Sequence, residues 1–238
     1  MRKYVTEFIG TFGLVFTVGC AVLGNSPVAP IAIGAVLMVL IYAGGHISGG
    51  HYNPSVTLGV FLRGALPAGE VLPYWAAQLA AAFLAGWLAR FVINPVAVHT
   101  ISTSGAHAIV AVLLAEFLFT FALVYVVLNV ATSKDQPGNQ FFGLAIGFTV
   151  MAGAAAVGGI SGGAFNPAVM FGAMLMGLID WSNFWIYLLA QGLAALIAAV
   201  AFRYLNPGDV EGGPVPALPK ARLPRLVRPA KPTGTPSA

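Results

Sequence analysis

Two short stretches carry the residues best suited to handling a polar guest inside an apolar chain. They are Gly45-His46-Ile47-Ser48-Gly49-Gly50-His51-Tyr52-Asn53-Pro54-Ser55-Val56 and Gly158-Gly159-Ile160-Ser161-Gly162-Gly163-Ala164-Phe165-Asn166-Pro167-Ala168-Val169. Their asparagines lie 113 residues apart. Asn is a favoured helix N-cap and Pro a favoured first helical residue. Each motif therefore opens a helix of about ten residues, near 15 Å, or half a bilayer core. The preceding Gly49-Gly50 and Gly162-Gly163 suit irregular backbone, which at membrane depth is tolerated only when buried in protein or lining a water-filled cavity. The predicted chemistry is hydrogen-bond exchange with a neutral molecule. Carbonyls of Gly49, Gly50, His51 and Tyr52, and of Gly162, Gly163, Ala164 and Phe165, make an acceptor ladder. The amides of Asn53 and Asn166 supply donors at its midpoint, where the two helix N-termini each add roughly half a positive charge.

These motifs need a membrane around them, and the composition supplies one. The 238 residues are 58% hydrophobic and 8% charged, with mean hydropathy +0.87, whereas a soluble domain carries about 25% charged residues. Windows at about 4–24, 29–48, 73–94, 107–130, 140–160 and 182–204 reach the roughly 20 apolar residues that a crossing needs. Six spans leave both ends on one side. Arg2, Lys3, Arg63, Lys134, Arg203 and the five basic residues of the C-terminal stretch fall on that side, and only Arg90 approaches the other. The expected location is therefore a plasma (inner) membrane, multi-pass, with both termini cytoplasmic. The net charge of +4 comes mostly from the C-terminal stretch, which fits topology and an anionic leaflet rather than nucleic acid.

Residues 206–238 hold 8 of the 16 prolines and no hydrophobic period, which predicts a disordered, basic cytoplasmic extension. Arg2-Lys3 and the apolar run after them imitate a signal peptide, but Glu7 interrupts the run, so the segment reads as the first span. Cys20 is the only cysteine, which excludes an internal disulfide and reads as a small buried apolar residue.

The duplication extends beyond the loops. Glu7-Phe8, Thr11-Phe12 and Leu14-Val15-Phe16 match Glu116-Phe117, Thr120-Phe121 and Leu123-Val124-Tyr125 at an offset of 109, and Tyr74, Gln78 and Arg90 match Tyr187, Gln191 and Arg203 at 113. Two copies of three spans plus a loop, about 1–100 and 107–205, make an inverted repeat, because an odd number of spans turns the second copy over. In such repeats the working site lies at the midplane where the copies meet.

Inverted halves, paired Asn-Pro half-helices and matching glutamates together resemble the aquaporin (major intrinsic protein) family over about residues 1–205. The resemblance implies an all-α membrane fold with six transmembrane helices, two re-entrant half-helices and one pore per subunit of a homotetramer in the lipid bilayer. It implies passive passage of water and small neutral solutes, with no cofactor and no enzymatic activity. Exclusion of cations and protons by half-helix dipoles is an aquaporin example already established, not a deduction from these residues. The resemblance assigns Asn53, Pro54, Ser55, Asn166, Pro167 and Ala168 to the pore midpoint, Glu7 and Glu116 to bracing the loops through backbone N–H groups, and His46 to the cytoplasmic vestibule. His46 and His51 make no metal site, since the second copy has Gly159 and Ala164 in their places. Gln78 and Gln191 read as helix packing, and His99 and His107 as surface residues.

One position departs from the family pattern. An arginine usually follows the second Asn-Pro-Ala; here Val169 removes a fixed charge and five N–H donors from the outer filter. The other filter positions fall on Ile33, Ala154 and Gly163, so the constriction is expected to be wider and more apolar. Glycerol, urea, ammonia and hydrogen peroxide are the candidate guests beside water. The alternatives are a channel mainly for larger neutral solutes with poor water selectivity, or an ion-coupled transporter, which lacks a span carboxylate beyond Glu7 and Glu116 and leaves Arg90 without a role. A non-conducting interaction protein has only the Pro-rich stretch in its favour. An enzyme finds no nucleophile and base pairing.

Overall fold

The computed structural model describes residues 1–101 and 103–209. Eight α-helices follow in order: α1 Arg2–Leu23, α2 Ala29–Ser48, α3 Pro54–Arg63, α4 Ala68–Ile93, α5 Ala106–Thr132, α6 Phe142–Ser161, α7 Pro167–Met176 and α8 Phe184–Leu205, with a 3-10 turn at Trp181–Asn183 leading into α8. Six are long and apolar enough to cross a membrane. The helices α3 and α7 have ten residues each. The third span begins at Ala68, five residues before the expected start, because Pro67 serves as its N-cap and Pro73 sits inside the helix.

Packing repeats the duplication. Helix α1 packs along α4 as α5 does along α8, while α2 and α6 cross each other at the junction between the halves. That crossing needs two glycines 113 residues apart, since a Cβ on Gly34 would lie 2.6 Å from the Gly147 carbonyl oxygen and one on Gly147 2.5 Å from that of Gly34. Without a hydrophobic drive between helices in lipid, close contact of small residues supplies the cohesion. Buried Ala81, Ala82, Ala85 and Ala89 on α4, and Ala190, Ala194, Ala195 and Ala198 on α8, provide it, while Phe83, Trp87, Leu189 and Leu196 face outward. Cys20 is half-buried rather than buried.

Each half-helix is stopped and tied at its C-terminus. Gly64 (φ 92°) and Gly177 (φ 80°) adopt the left-handed conformation that ends α3 and α7. Arg203 Nη1 donates to the Leu62 carbonyl at 3.4 Å, and Arg90 Nη1 to that of Met176 at 2.5 Å. These cations sit where the helix dipole is negative, which is the role that sequence reasoning left open for Arg90.

Arg63, counted among the cations that set topology, is only 3% exposed. Its Nε donates to Thr132 Oγ1 at 2.8 Å and its Nη2 to the Thr132 carbonyl, while the guanidinium stands 5.0 Å from the Phe202 ring and Nη2 4.0 Å from Asp209 Oδ1. Asp209 Oδ1 also accepts the Lys134 N–H at 2.7 Å. At the start of the expected extension, Pro207–Asp209 form a turn docked on the bundle. The rest of the expected extension, 210–238, lies outside the described residues.

Removing one partner of a buried ion pair strands the other charge, at a cost of about 3 to 5 kcal/mol, whereas an apolar replacement of both is neutral or stabilising. Asp209→Ala is expected to lose stability on that scale in detergent unfolding. The double variant Arg63→Met with Asp209→Leu is expected to melt at or above the parent.

Candidate functional site

Half-helices α3 and α7 meet at their N-termini, and each asparagine does three jobs. Asn53 Oδ1 accepts the N–H groups of Ser55 at 2.8 Å and Val56 at 3.4 Å, while Asn166 Oδ1 accepts those of Ala168 at 2.9 Å and Val169 at 3.4 Å. This capping turns each Nδ2 away from its own helix. Asn53 Nδ2 donates to the Phe165 carbonyl at 2.9 Å, and Asn166 Nδ2 donates to the Tyr52 carbonyl at 2.8 Å. The two loops therefore clasp one another reciprocally. One N–H of each amide is left, and both asparagines border the central cavity.

The clasp engages part of the expected acceptor ladder. The Tyr52 and Phe165 carbonyls each accept the opposite asparagine, which leaves each oxygen a second lone pair; Tyr52 borders the central cavity and Phe165 does not. Gly50, His51, Gly162, Gly163 and Ala164 do border it, and Gly49 lies further out, on the inner vestibule.

Two buried carboxylates hold the loops. Glu7 Oε1 accepts Ser48 Oγ at 2.7 Å and the His51 N–H at 2.9 Å, and its Oε2 accepts the Tyr52 N–H at 2.7 Å and Gln78 Nε2 at 2.8 Å. Glu116 repeats the pattern: Oε1 accepts Ser161 Oγ at 2.7 Å and the Ala164 N–H at 3.0 Å, and Oε2 accepts the Phe165 N–H and Gln191 Nε2, both at 2.8 Å. Four donors converge on each carboxylate, which matches an acceptor-only group. Tyr74 and Tyr187 add hydroxyl bonds to the carbonyls of Ser48 and Ser161, at 2.7 and 2.6 Å.

Tyr52 and Phe165 bear the backbone strain of the turn, with φ of 47° each, a conformation uncommon for bulky residues. Their side chains anchor it. The Tyr52 ring lies where a Cβ on Gly10 would stand, 2.1 Å away, and the Phe165 ring similarly occupies space beside Gly153, at 2.6 Å. Tyr52 also donates its hydroxyl to the Leu40 carbonyl at 3.0 Å.

Three cavities run in series. The outer one, about 300 Å³, is bordered by Ile33, Ala154 and Val169 and by His99, an exposed residue as expected. The central one is about 30 Å³, roughly the share of one water molecule in the liquid. Ile33 and Val169 border both, while Gly163 borders only the central one. The inner vestibule, about 250 Å³, is bordered by His46, His51 and Thr132 and shares His51 and Val127 with the central cavity. Pro54, Ser55 and Pro167 face elsewhere, into a groove on the outside of the bundle. Ala168 is fully buried and borders none of these spaces.

The profile of the family described as Major intrinsic protein matches residues 1–202. The chain belongs to this family. Its relatives include Aquaporin NIP1-3 of Oryza sativa subsp. japonica, 35% identical over 218 residues covering 87% of this chain and 75% of that protein. Probable aquaporin TIP2-2 of the same plant is 37% identical over 220 residues, covering 86% and 87%. In fold, the X-ray structure of the aquaglyceroporin from Plasmodium falciparum superposes with a TM-score of 0.74 at 20% identity, covering 87% of this chain and 98% of that one. Members of the family are channels, not enzymes, so this chain is a membrane channel for water and small neutral solutes.

Within that family frame, sequence reasoning missed several supporting residues. Gln78 and Gln191, read as packing, donate directly to the carboxylates, and Gln78 Nε2 also reaches Thr57 Oγ1 at 3.1 Å. Ser48 and Ser161 bridge carboxylate to loop, each also accepting an N–H, of Gly50 or Gly163, at 3.1 Å. The signal available was the shared offset of 113, which both serines obey. The His51 side chain was also missed: its Nδ1 lies 3.1 Å from Thr57 Oγ1, whereas the second half has Ala164 and Met170 there.

Replacing Glu7 by Gln turns one acceptor oxygen into a donor facing two donors, at about 1 to 3 kcal/mol for each buried group left unpaired. Glu7→Gln and Glu116→Gln are each expected to lower the melting temperature and to cut water permeability per molecule. Unfolding curves and stopped-flow light scattering on the same reconstituted protein check this.

Proposed function

We propose that this channel conducts passively and in single file, through a filter of Ile33, Ala154, Gly163 and Val169 that is unusually apolar and uncharged. The observation that carries the reading is the clasp: Asn53 and Asn166, each capping a half-helix, donate to the opposite loop beside a cavity of about 30 Å³ that shares lining residues with a vestibule on either side. A neutral guest exchanges hydrogen bonds with the free carbonyls and the second N–H of each asparagine. A cation loses its hydration there, a cost of tens of kcal/mol in a low-dielectric site, and meets two positive helix ends.

Valine at 169 removes the charge barrier and widens the outer constriction, which favours glycerol, urea, ammonia and hydrogen peroxide relative to water. Coupled transport is disfavoured because Glu7 and Glu116 are each filled by four donors. The distribution of Lys and Arg supports cytoplasmic termini in a plasma (inner) membrane, and the family resemblance supports a homotetramer.

Stopped-flow light scattering on proteoliposomes tests the filter. Val169→Arg is expected to lower the ratio of solute to water permeability about tenfold, the effect of roughly 1.4 kcal/mol on a barrier. An unchanged ratio overturns the assignment.

A further inference from the structure

A groove of about 650 Å³, larger than either vestibule, lies outside the pore. It exists because α4 and α8 do not pack along each other; α3 and α7 fill the gap between them and leave their flanks open. The walls straddle the axis between the halves, with Pro54 opposite Pro167, Trp75 opposite Leu188 and Leu79 opposite Gly192, each pair 113 residues apart. The last pair breaks the symmetry. A Cβ on Gly192 would meet nothing within 4 Å, so glycine there opens space that its leucine counterpart would occupy.

The groove's chemistry selects its occupant. Water needs two to four polar partners, and apolar cavities stay dry; only Ser55 and the indoles of Trp75 and Trp181 bring side-chain N–H or O–H groups to this groove, and the Trp75 indole N–H is already given to the Pro54 carbonyl at 3.1 Å. The flanking outward residues Leu72, Phe83, Phe184 and Leu196 are exposed and apolar, so the groove is continuous with the surface that faces lipid. Its length runs from Trp181, the kind of residue that marks a membrane interface, to Gly192 near the Asn-Pro junction. Those eleven residues of rise amount to about 16 Å, close to half the hydrocarbon core. Spread over that length, the volume gives a long, narrow section of roughly 40 Å², a shape open to a hydrocarbon chain.

We propose that this groove seats one acyl chain of a bilayer lipid, drawn from the leaflet on the α8 N-terminal side, with its methyl end packed against Pro54 and Pro167. The lipid then supports the backs of the two half-helices whose tips form the pore midpoint.

The test uses the full chain with Trp87, Trp181 and Trp185 replaced by Phe, which leaves Trp75 as the only tryptophan. The protein is reconstituted in phosphatidylcholine brominated near the chain methyl end. Trp75 fluorescence is expected to fall at least twofold relative to the unbrominated lipid, and Gly192→Leu, which fills the groove, is expected to restore at least half of it. Phe184→Ala, which widens the groove, is expected to deepen the quenching, and unchanged water permeability in both variants shows an intact pore. Should Gly192→Leu lose permeability, Phe184→Ala decides. Quenching indifferent to the deciding variant overturns the proposal, as does quenching by aqueous acrylamide, which means water fills the groove. Protection from both quenchers also overturns it, since a second copy of the chain then covers the face.

Discussion

A loop that enters a bilayer without regular structure must have its backbone N–H groups satisfied from within the protein. In this chain Glu7 and Glu116 meet that demand, each gathering two loop N–H groups, a serine hydroxyl and a glutamine amide. An unpaired buried donor costs about 1 to 3 kcal/mol, and the loops also hold Tyr52 and Phe165 at positive φ. The carboxylates therefore offset both desolvation and strain. With two N–H groups of each loop tied to its carboxylate, the same loops border the cavities.

The asparagine clasp follows from the same constraint. A capped helix consumes the Oδ1 of its asparagine, which forces Nδ2 outward, toward the opposite loop. Each tip is fixed by its own cap and by its partner's carbonyl at once. The midpoint is thus a joint pinned from both sides, with one N–H left on each asparagine beside the central cavity.

Symmetry governs the frame and is broken where the two mouths differ. The buried Arg63 and Asp209 pair at one mouth has Met176 as its counterpart at the other. His51 and Thr57 have Ala164 and Met170 as their counterparts in the second half. The inner half of the route is accordingly more polar than the outer half, where Ile33, Ala154 and Val169 border an apolar cavity. Valine at 169, where the family usually has arginine, leaves that cavity without a fixed charge from this position.

Much of this was determined by sequence alone. Hydropathy sets the six spans, because the bilayer admits little besides long apolar helices. Asn-Pro after Gly-Gly sets the two half-helices, because capping and proline geometry are local, and the offsets of 109 and 113 set the inverted repeat. Residues acting across the bundle were not legible in that way. Which carbonyls stay free, why Gln78 and Gln191 are amides, where Arg63 goes and what Arg90 caps depend on partners 69 to 112 residues distant along the chain. Local pattern chooses a helix, its cap and its end. Only the packed tertiary structure decides which polar group answers which, because that choice is made by distances between segments that the chain's order does not contain.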